Sequence, residues 1–578
     1  MPLDVHPTEQ LLKRMAGYSG SMLSSARKVP RLLKYGYLVL TRTALFALAV
    51  VLIVATGKAV FGRHIVIEPI SVPKKLEDDG YSGAVISRRL LEEVRSISQS
   101  GNVLHVQTVS RQPSERVSFR SEDDFASLDT IQVPSSGVTL RSMALMVRDF
   151  LGIPEQRITG EIIVRHLAKA DGGKTAGSAD AKTPAQTDSY AIFVRFGSAT
   201  DPLTKSSNAD DIDDAIRQSA PSIAERFDPV GLAAYYFSRR EWAKMEKVAS
   251  GLIARSEPSL RKEGLYLRGL HALNFEQYDM AIPYFAQAVL ADEGFADAYN
   301  SWGTALAGKK QYAKALAQYN KANELTPLNP NILYNRALAY HNRRDFDHAI
   351  EDYSLVVKLD PKNAAAYTNR GMAWEAKRDI DRALQDYDRA IAIDPGFYYA
   401  YSNRTPLLCD KGEFDKAMGS ANRAIELEPK YSNAYNQRGY CYSDMGKREL
   451  AIKDYDKALE IDPLNSSALN NRCYERALRG QPELAFEDCD EALRLEPATA
   501  GYYDSRGYAW LKLGRFDKAI ADFDAGLKLD PGMAETLFER GVARRRQGDT
   551  AGGDADIAAA TKIKPSIAGD MAKIGVQP

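Results

Sequence analysis

Residues 364–397 read AAAYTNRGMAWEAKRDIDRALQDYDRAIAIDPGF, and close variants of this 34-residue stretch follow one another through the second half of the chain. The proline near its end marks the repeat, because it returns every 34 residues without slippage. The series is Pro327, Pro361, Pro395, Pro429, Pro463, Pro497, Pro531 and Pro565. A fixed period of this length indicates a stack of similar supersecondary units rather than one globular core.

Each unit has the pattern of two helices. We number its positions from 1, with the recurring proline at position 32. Apolar residues recur at helical spacing in each half. Position 8 is small in most units, as in Gly269, Gly303, Ala337, Gly371, Gly439, Cys473, Gly507 and Gly541. Small residues let two helices cross closely, and the proline ends the second helix because it lacks an N–H donor.

This pattern resembles the tetratricopeptide repeat (TPR) family. The resemblance covers nine units over residues 262–567, with a degenerate unit before them at 227–261 and a tail after them at 568–578. Departures are few: Glu293 replaces the proline, and Thr405 and Gly553 stand where a small residue and an alanine are expected. The resemblance implies a mostly α-helical fold, a right-handed superhelical solenoid of helix pairs with a concave groove.

The N-terminal region has the pattern of a membrane anchor. Residues 37–61 are mostly apolar and long enough for one transmembrane helix, and residues 1–36 are basic, with no acid after Glu9. The positive-inside rule then predicts a single-pass inner membrane protein with a cytoplasmic N-terminus and periplasmic repeats. A cleaved signal peptide ending near Gly57 is one alternative, and cytoplasmic repeats are another.

Residues 63–226 do not repeat, and they predict a small α/β or α+β domain. Strands are expected at 65–72, 103–109, 158–164 and 190–196, and helices at 83–98, 138–151 and 210–226. The stretch 168–189 is rich in Ala, Gly, Lys, Asp, Ser and Thr, and predicts a flexible loop.

The sequence offers little enzyme chemistry. Residues 168–175, AKADGGKT, partly match a phosphate-binding loop, but a poor helix former follows them and the first glycine is replaced by alanine. No histidine or cysteine pair has metal-ligand spacing, so we expect no cofactor, no metal and no catalytic residue. The chain carries 76 basic and 76 acidic side chains, and this neutrality argues against nucleic acid as the main partner.

The resemblance places positions 2, 5, 6, 9, 12 and 13 of each unit on the groove. Carboxamides and tyrosines recur there, and carboxamides can pair with a peptide backbone because they hold both donors and acceptors. The predicted groove residues are Asn300, Asn335, Asn369, Asn403, Asn436, Gln437, Asn470, Asn471, Tyr440, Tyr474 and Tyr508. They would face solvent and bind a protein or an extended peptide; the alternative is that these residues are a choice of the fold with no ligand.

Two further patterns concern stability. Arginine at position 7 varies together with aspartate at position 23, as in Arg370 and Asp386, which predicts a salt bridge between paired helices. The four cysteines lie at 409, 441, 473 and 489. Cys473 and Cys489 occupy facing places of one unit, either as small buried residues or as a disulfide.

Together these patterns predict a membrane-anchored scaffold or adaptor of the bacterial envelope that binds proteins through its repeats and is not an enzyme. The alternative hypothesis is an enzyme or small-ligand sensor whose active part is residues 63–226, with the repeats recruiting a substrate or partner.

Overall fold

The computed structural model describes residues 64–106, 118–120, 156–167, 187–196, 204–205 and 209–577. No helix among these residues is both long and apolar enough to cross a membrane. The predicted anchor at 37–61, its basic leader and the predicted helix at 138–151 lie outside the described residues. The chain divides into two compact parts, an N-terminal part up to Glu293 and a C-terminal part from Gly294 onward.

The N-terminal part begins with a five-stranded sheet in the order β2-β1-β3-β4-β5. The strands are β1 (His64–Ile67), β2 (Ser118–Arg120), β3 (Gln156–Leu167), β4 (Thr187–Phe196) and β5 (Thr204–Lys205). β1 is parallel to β2 and β3, whereas β3 and β4 form a long antiparallel pair that sets Ile162 opposite Ile192. The strands predicted at 158–164 and 190–196 are therefore confirmed.

Helices pack on this sheet through a single apolar core. They are α1 (Lys74–Asp78), α2 (Gly83–Val106) and α3 (Ile212–Phe227). Ser87 ties α2 to the strand region, since its hydroxyl donates to Glu68 O at 2.8 Å and accepts from Ile70 N at 3.0 Å. α2 extends past the predicted end at Ser98, so the strand expected at 103–109 is wrong over residues 103–106. A lone glycine at position 101 costs a helix only about 1 kcal/mol, which does not end it.

Two helix pairs follow in the N-terminal part. They are α4 (Pro229–Ser238) with α5 (Trp242–Ile253), and α6 (Pro258–Asn274) with α7 (Tyr278–Ala291). Asp228 caps α4, because its carboxylate accepts from Gly231 N at 3.0 Å. Met245 and Leu252 belong to the same buried cluster as Ile86 and Ile192, so the sheet layer and the first helix pairs share a core.

The C-terminal part consists of further helix pairs. In these pairs, each second helix from α9 onward ends two residues before the recurring proline. The helices are α8 (Ala296–Gly308), α9 (Tyr312–Leu325), α10 (Pro330–Asn342), α11 (Phe346–Leu359), α12 (Ala364–Ala376), α13 (Ile380–Ile393), α14 (Tyr398–Asp410), α15 (Phe414–Leu427), α16 (Ser432–Asp444), α17 (Arg448–Ile461), α18 (Ser466–Leu478), α19 (Phe486–Leu495), α20 (Ala500–Lys512), α21 (Phe516–Leu529), α22 (Ala534–Gln547), α23 (Thr550–Ile563) and α24 (Ile567–Lys573).

The two helices of a pair meet where a glycine faces an aromatic ring. A Cβ on Gly371 would lie 2.7 Å from a ring carbon of Tyr387, and the same holds within 0.1 Å for Gly303, Gly439 and Gly507 against their facing rings. Tyr387 is fully buried by this approach. Beside such a ring, a side chain larger than alanine at position 8 would push the two helices apart.

The predicted arginine–aspartate bridges are present. Arg370 Nε and Nη2 donate to the two carboxylate oxygens of Asp386 at 2.8 and 2.7 Å. The same fork occurs in five other units: Arg336–Asp352, Arg438–Asp454, Arg472–Asp488, Arg506–Asp522 and Arg540–Asp556. The remaining Nη1 of Arg370 donates to Ser354 in the preceding unit at 3.1 Å. Each arginine therefore joins its own second helix to that of its neighbour.

The close glycine contact gives a stability prediction. Gly371→Val should lower the free energy of unfolding by about 1–3 kcal/mol, because the added atoms overlap the buried Tyr387 ring. Gly419→Val is the matched control: Gly419 is also helical, but a Cβ there meets nothing within 4 Å. The control should change stability by less than about 0.5 kcal/mol in urea unfolding. Equal effects of the two substitutions would contradict the packing argument.

Candidate peptide-binding surface

In the C-terminal part, the first helices of successive pairs are linked by side chains at positions 5 and 6 of the repeat. Asn335 Nδ2 donates to Asn300 Oδ1 at 3.1 Å, and Asn471 Nδ2 donates to Asn436 Oδ1 at 3.0 Å. Asn369 Nδ2 donates in the same way to the Tyr334 hydroxyl at 2.8 Å. These side chains therefore form a row across neighbouring helices, which we call the amide row.

The amide row is less open than the sequence predicts. Most of its predicted members are half-buried, and Asn436 is only 2% exposed. One donor of Asn335, Asn369 and Asn471 is used by the preceding helix pair. A carboxamide holds two donors and two acceptor lone pairs, so each keeps further hydrogen-bonding capacity. The inter-repeat bonds mean that the row also contributes to stability, which sequence reasoning missed.

Asn470 carries an unsatisfied oxygen in this row. Its Oδ1 is buried and has no hydrogen-bond partner within the described part of the chain. Its Nδ2 lies 3.5 Å from Asn471 Oδ1. A buried acceptor without a donor costs free energy, on the order of 1–3 kcal/mol. Asn403 and Gln437, which complete the predicted carboxamides, are half-buried on α14 and α16.

The three predicted tyrosines at position 9 differ in environment. The Tyr440 hydroxyl donates to Asp410 Oδ1 at 2.7 Å. The rings of Tyr474 and Tyr508 lie 5.2 Å apart between centroids. Tyr508 is fully buried, and its hydroxyl donates to the main-chain oxygen of Ile574 at 3.1 Å. Sequence reasoning treated residues 568–578 only as a tail, and it missed that they contact this tyrosine.

Acidic side chains join this face toward the C-terminal end, and sequence reasoning missed them as well. Asp504 and Glu539 occupy positions 5 and 6, where earlier units have carboxamides. Thr536 donates to Asp504 Oδ1 at 2.6 Å. Burial raises the pKa of Asp504 to about 6, and burial together with Asp504 raises the pKa of Glu539 well above its usual value. Reading positions 5 and 6 in every unit would have found this pair.

A third acid, Glu475 on α18, has a cationic partner. Glu475 is 1% exposed, accepts from Arg448 Nη1 at 3.0 Å and also accepts from the Ser443 hydroxyl. Asp504 and Glu539 have no such arginine partner in the described structure, so the C-terminal end of the face holds the uncompensated acid pair. The surface therefore changes from neutral carboxamides to carboxyl groups along the chain.

Both pairs of cysteines are disulfide-bonded. Cys473 and Cys489 join α18 to α19 with a Cα–Cα distance of 5.5 Å, which decides between the two alternatives the sequence left open. Cys409 and Cys441 join α14 to α16 of the next pair at 5.7 Å. This second bond was not predicted, because its partners occupy different positions of neighbouring units. Both distances lie in the normal range for disulfides.

No group of three or more His, Cys, Asp or Glu side chains among the described residues could hold a metal ion. The stretch that partly matches a phosphate-binding loop, residues 168–175, lies outside the described residues. The absence of catalysis and of a cofactor therefore stays a prediction.

The acid pair gives a pH prediction. Because the pKa of Asp504 is raised in the folded state, its contribution favours folding below pH 4 and is lost as the pH rises through about 6. Asp504→Asn should therefore raise stability at pH 7.5 by about 1–2 kcal/mol, and by clearly less at pH 4.5. Glu351→Gln, at an exposed site on α11, is the control for removing one carboxyl group. Chemical denaturation at both pH values measures the difference, and a pH-independent effect of Asp504→Asn would contradict the argument.

Comparison with protein families and solved structures places the repeats. Models of the tetratricopeptide repeat match residues 330–363, 364–397, 432–465 and 500–533, and a TPR repeat model matches 303–343. Comparison with curated protein sequences gives no match.

Several solved structures are similar to this chain. The Cut9–Hcn1 hetero-tetramer of the APC/C is 16% identical, with a TM-score of 0.40 over 61% of this chain and 84% of that chain. A tetratricopeptide repeat protein from Parabacteroides merdae is 15% identical, with a TM-score of 0.36 over 46% of this chain and 98% of that one. YrrB, a TPR protein with an unusual peptide-binding site, is 23% identical, with a TM-score of 0.27 over 32% and 95%. With the helix pairs described above, the family matches show that the region from residue 303 to 533 carries tetratricopeptide repeats, a scaffold for protein–protein interaction.

Proposed function

We propose that the chain is an adaptor that binds an extended protein segment along the first helices of its repeats. The amide row carries this proposal, because it presents the same kind of group from consecutive helix pairs. The bonds Asn335–Asn300, Asn369–Tyr334 and Asn471–Asn436 fix these carboxamides in position before a ligand arrives. Groups that are already ordered lose less entropy on binding.

The chemistry of the row suits a main chain rather than a particular side chain. A peptide offers alternating N–H donors and C=O acceptors, and a carboxamide can pair with either. Tyr440 and Tyr474 would add apolar contact area with a polar tip. Sequence specificity would then come from the acidic end, at Asp504 and Glu539.

We further propose that the chain is anchored in the inner membrane by residues 37–61, with the repeats in the periplasm. The basic run before the anchor and the apolar length of the stretch support this orientation. The two disulfides, Cys409–Cys441 and Cys473–Cys489, also support it, because such bonds persist in oxidising compartments. Repeats in the cytoplasm are the competing orientation.

The binding proposal is tested by replacing part of the row. Asn369, Asn403 and Asn471 changed together to alanine should weaken partner binding roughly tenfold to a thousandfold, because each lost hydrogen bond is worth about 0.5–1.5 kcal/mol. Stability should fall by about 1–3 kcal/mol, since Asn369 and Asn471 also bond to neighbouring helices.

Partners are identified by affinity purification of the full chain from membranes, and binding is then titrated well below the melting temperature of the variant. The control is Lys453→Ala, at an exposed position of α17, which should leave binding unchanged. Full-strength binding of every partner by the triple variant would refute the amide row as the binding surface.

The orientation is tested with reporter fusions after Pro578. A reporter that is active only outside the cytoplasm should be active there, and one that needs the cytoplasm should be silent. Moving positive charge from residues 27–34 to the segment after residue 62 should reduce the signal of the first reporter. A chain that supports only the cytoplasmic reporter would show that the competing orientation is right.

A further inference from the structure

The chain turns back after its last helix and lies on the surface described above. α24 ends at Lys573, and Gly575 then turns the backbone with a φ of +77°. The main-chain oxygen of Ile574 accepts from the Tyr508 hydroxyl at 3.1 Å, and that of Gln577 accepts from Arg546 Nη2 at 3.2 Å. Val576 is only 2% exposed. We call residues 574–577 the return segment.

The residues that hold the return segment occupy the positions proposed for partner binding. Tyr508 stands at position 9, as Tyr440 and Tyr474 do in earlier units, and Arg546 stands at position 13, as Asp410 does. Two side chains of this face therefore already donate hydrogen bonds to main-chain carbonyls. Val576 adds an aliphatic side chain in the buried cluster that contains Tyr508 and Val542.

Two main-chain bonds join the return segment to α24, from Gly575 N to Ala572 O at 3.1 Å and from Val576 N to Met571 O at 3.0 Å, so its release also opens the last turn of that helix. α24 keeps its own anchors, since Ile567 and Met571 are 0% and 2% exposed. The segment itself is four residues long and forms no helix or strand. Gly575 provides the turn at a positive φ, where residues with a Cβ are strained. Hydrogen bonds, the buried Val576 and the half-buried Ile574 hold it in place.

We propose that the return segment is an internal ligand of the last repeats and that a partner's linear peptide replaces it. That peptide presents one small aliphatic side chain between exposed main-chain carbonyls, as Ile574-Gly575-Val576-Gln577 does. The inference rests on the proposed peptide-binding function, and it adds that the C-terminal end of the surface is closed in the free protein.

The test uses the full chain and a synthetic peptide as the probe. The peptide has the sequence of residues 570–578, DMAKIGVQP, with a fluorescent label at its N-terminus. Val576→Asp in the full chain should expel the return segment, because a carboxylate is unfavourable in an apolar cluster. Gln577→Asp is the matched control, since it adds the same charge at an exposed residue whose main-chain oxygen makes the contact.

Fluorescence anisotropy should show that the Val576→Asp protein binds the peptide at least tenfold more tightly than the wild type or the Gln577→Asp protein. Adding Tyr508→Phe to Val576→Asp should weaken this binding about twofold to tenfold, because one hydrogen bond to the peptide is lost. A peptide in which the valine is replaced by aspartate should not compete.

Gly575→Ala is a second way to loosen the segment without a buried charge, and it should raise peptide affinity at least threefold. If folded Val576→Asp and Gly575→Ala proteins both bind the peptide no better than the wild type, the proposal is overturned. The outcome is separate from that of the triple asparagine variant. Loss of partner binding in the triple variant together with no peptide binding here would remove the internal ligand and leave the proposed function standing.

Discussion

The close approach of two helices at position 8 is the constraint on which each repeat depends. Gly371 leaves room for the Tyr387 ring, which is fully buried between the helices. Ala337 still packs against a tyrosine, Tyr353, whereas other departures from glycine have a different partner. In the unit that contains Thr405, position 24 is Ala421. In the unit that contains Cys473, position 24 is Cys489, and the two cysteines are bonded. The residues that fill the space between the paired helices therefore vary from unit to unit, and each helix pair packs closely in its own way.

The arginine at position 7 carries this local geometry from one unit to the next. Its fork to aspartate fixes two helices of one unit, and its third nitrogen reaches the second helix of the preceding unit, as Arg472 reaches Asp456 at 2.7 Å. These guanidinium groups are largely covered, so losing one partner would leave a poorly solvated charge. Packing between helices and charge pairing between units thus act on different surfaces, and the first helix keeps one face for other purposes.

The helix pairs could be predicted because their determinants are local and repeated. Pro361 and Pro395 fix where the helices end, and Arg370 with Asp386 could be paired from their co-variation alone. The bonds between units could not be predicted in the same way. The contact between Asn335 and Asn300 spans 35 residues and the disulfide between Cys409 and Cys441 spans 32, so each joins two units and no pattern within one unit indicates it.

The return segment was unpredictable for a different reason. Residues 574–577 contain no periodic pattern, and their position is set by contacts with Tyr508 and Arg546, which belong to earlier units. Sequence patterns thus predict what a segment does within its own unit, and they fail where distant units meet.

The surface formed by the first helices varies between repeats, and this variation affects binding. Its residues do not fill the space between paired helices, so they can change without disturbing the contact of Gly371 with Tyr387. Positions 5 and 6 change from carboxamides such as Asn470 and Asn471 to the acids Asp504 and Glu539 within one or two units. A neutral amide tolerates any main chain, whereas a buried acid pair with a raised pKa favours a ligand group that can donate a hydrogen bond or carry positive charge. One scaffold can therefore hold a partner by its backbone along the amide row and select among partners at the acidic end.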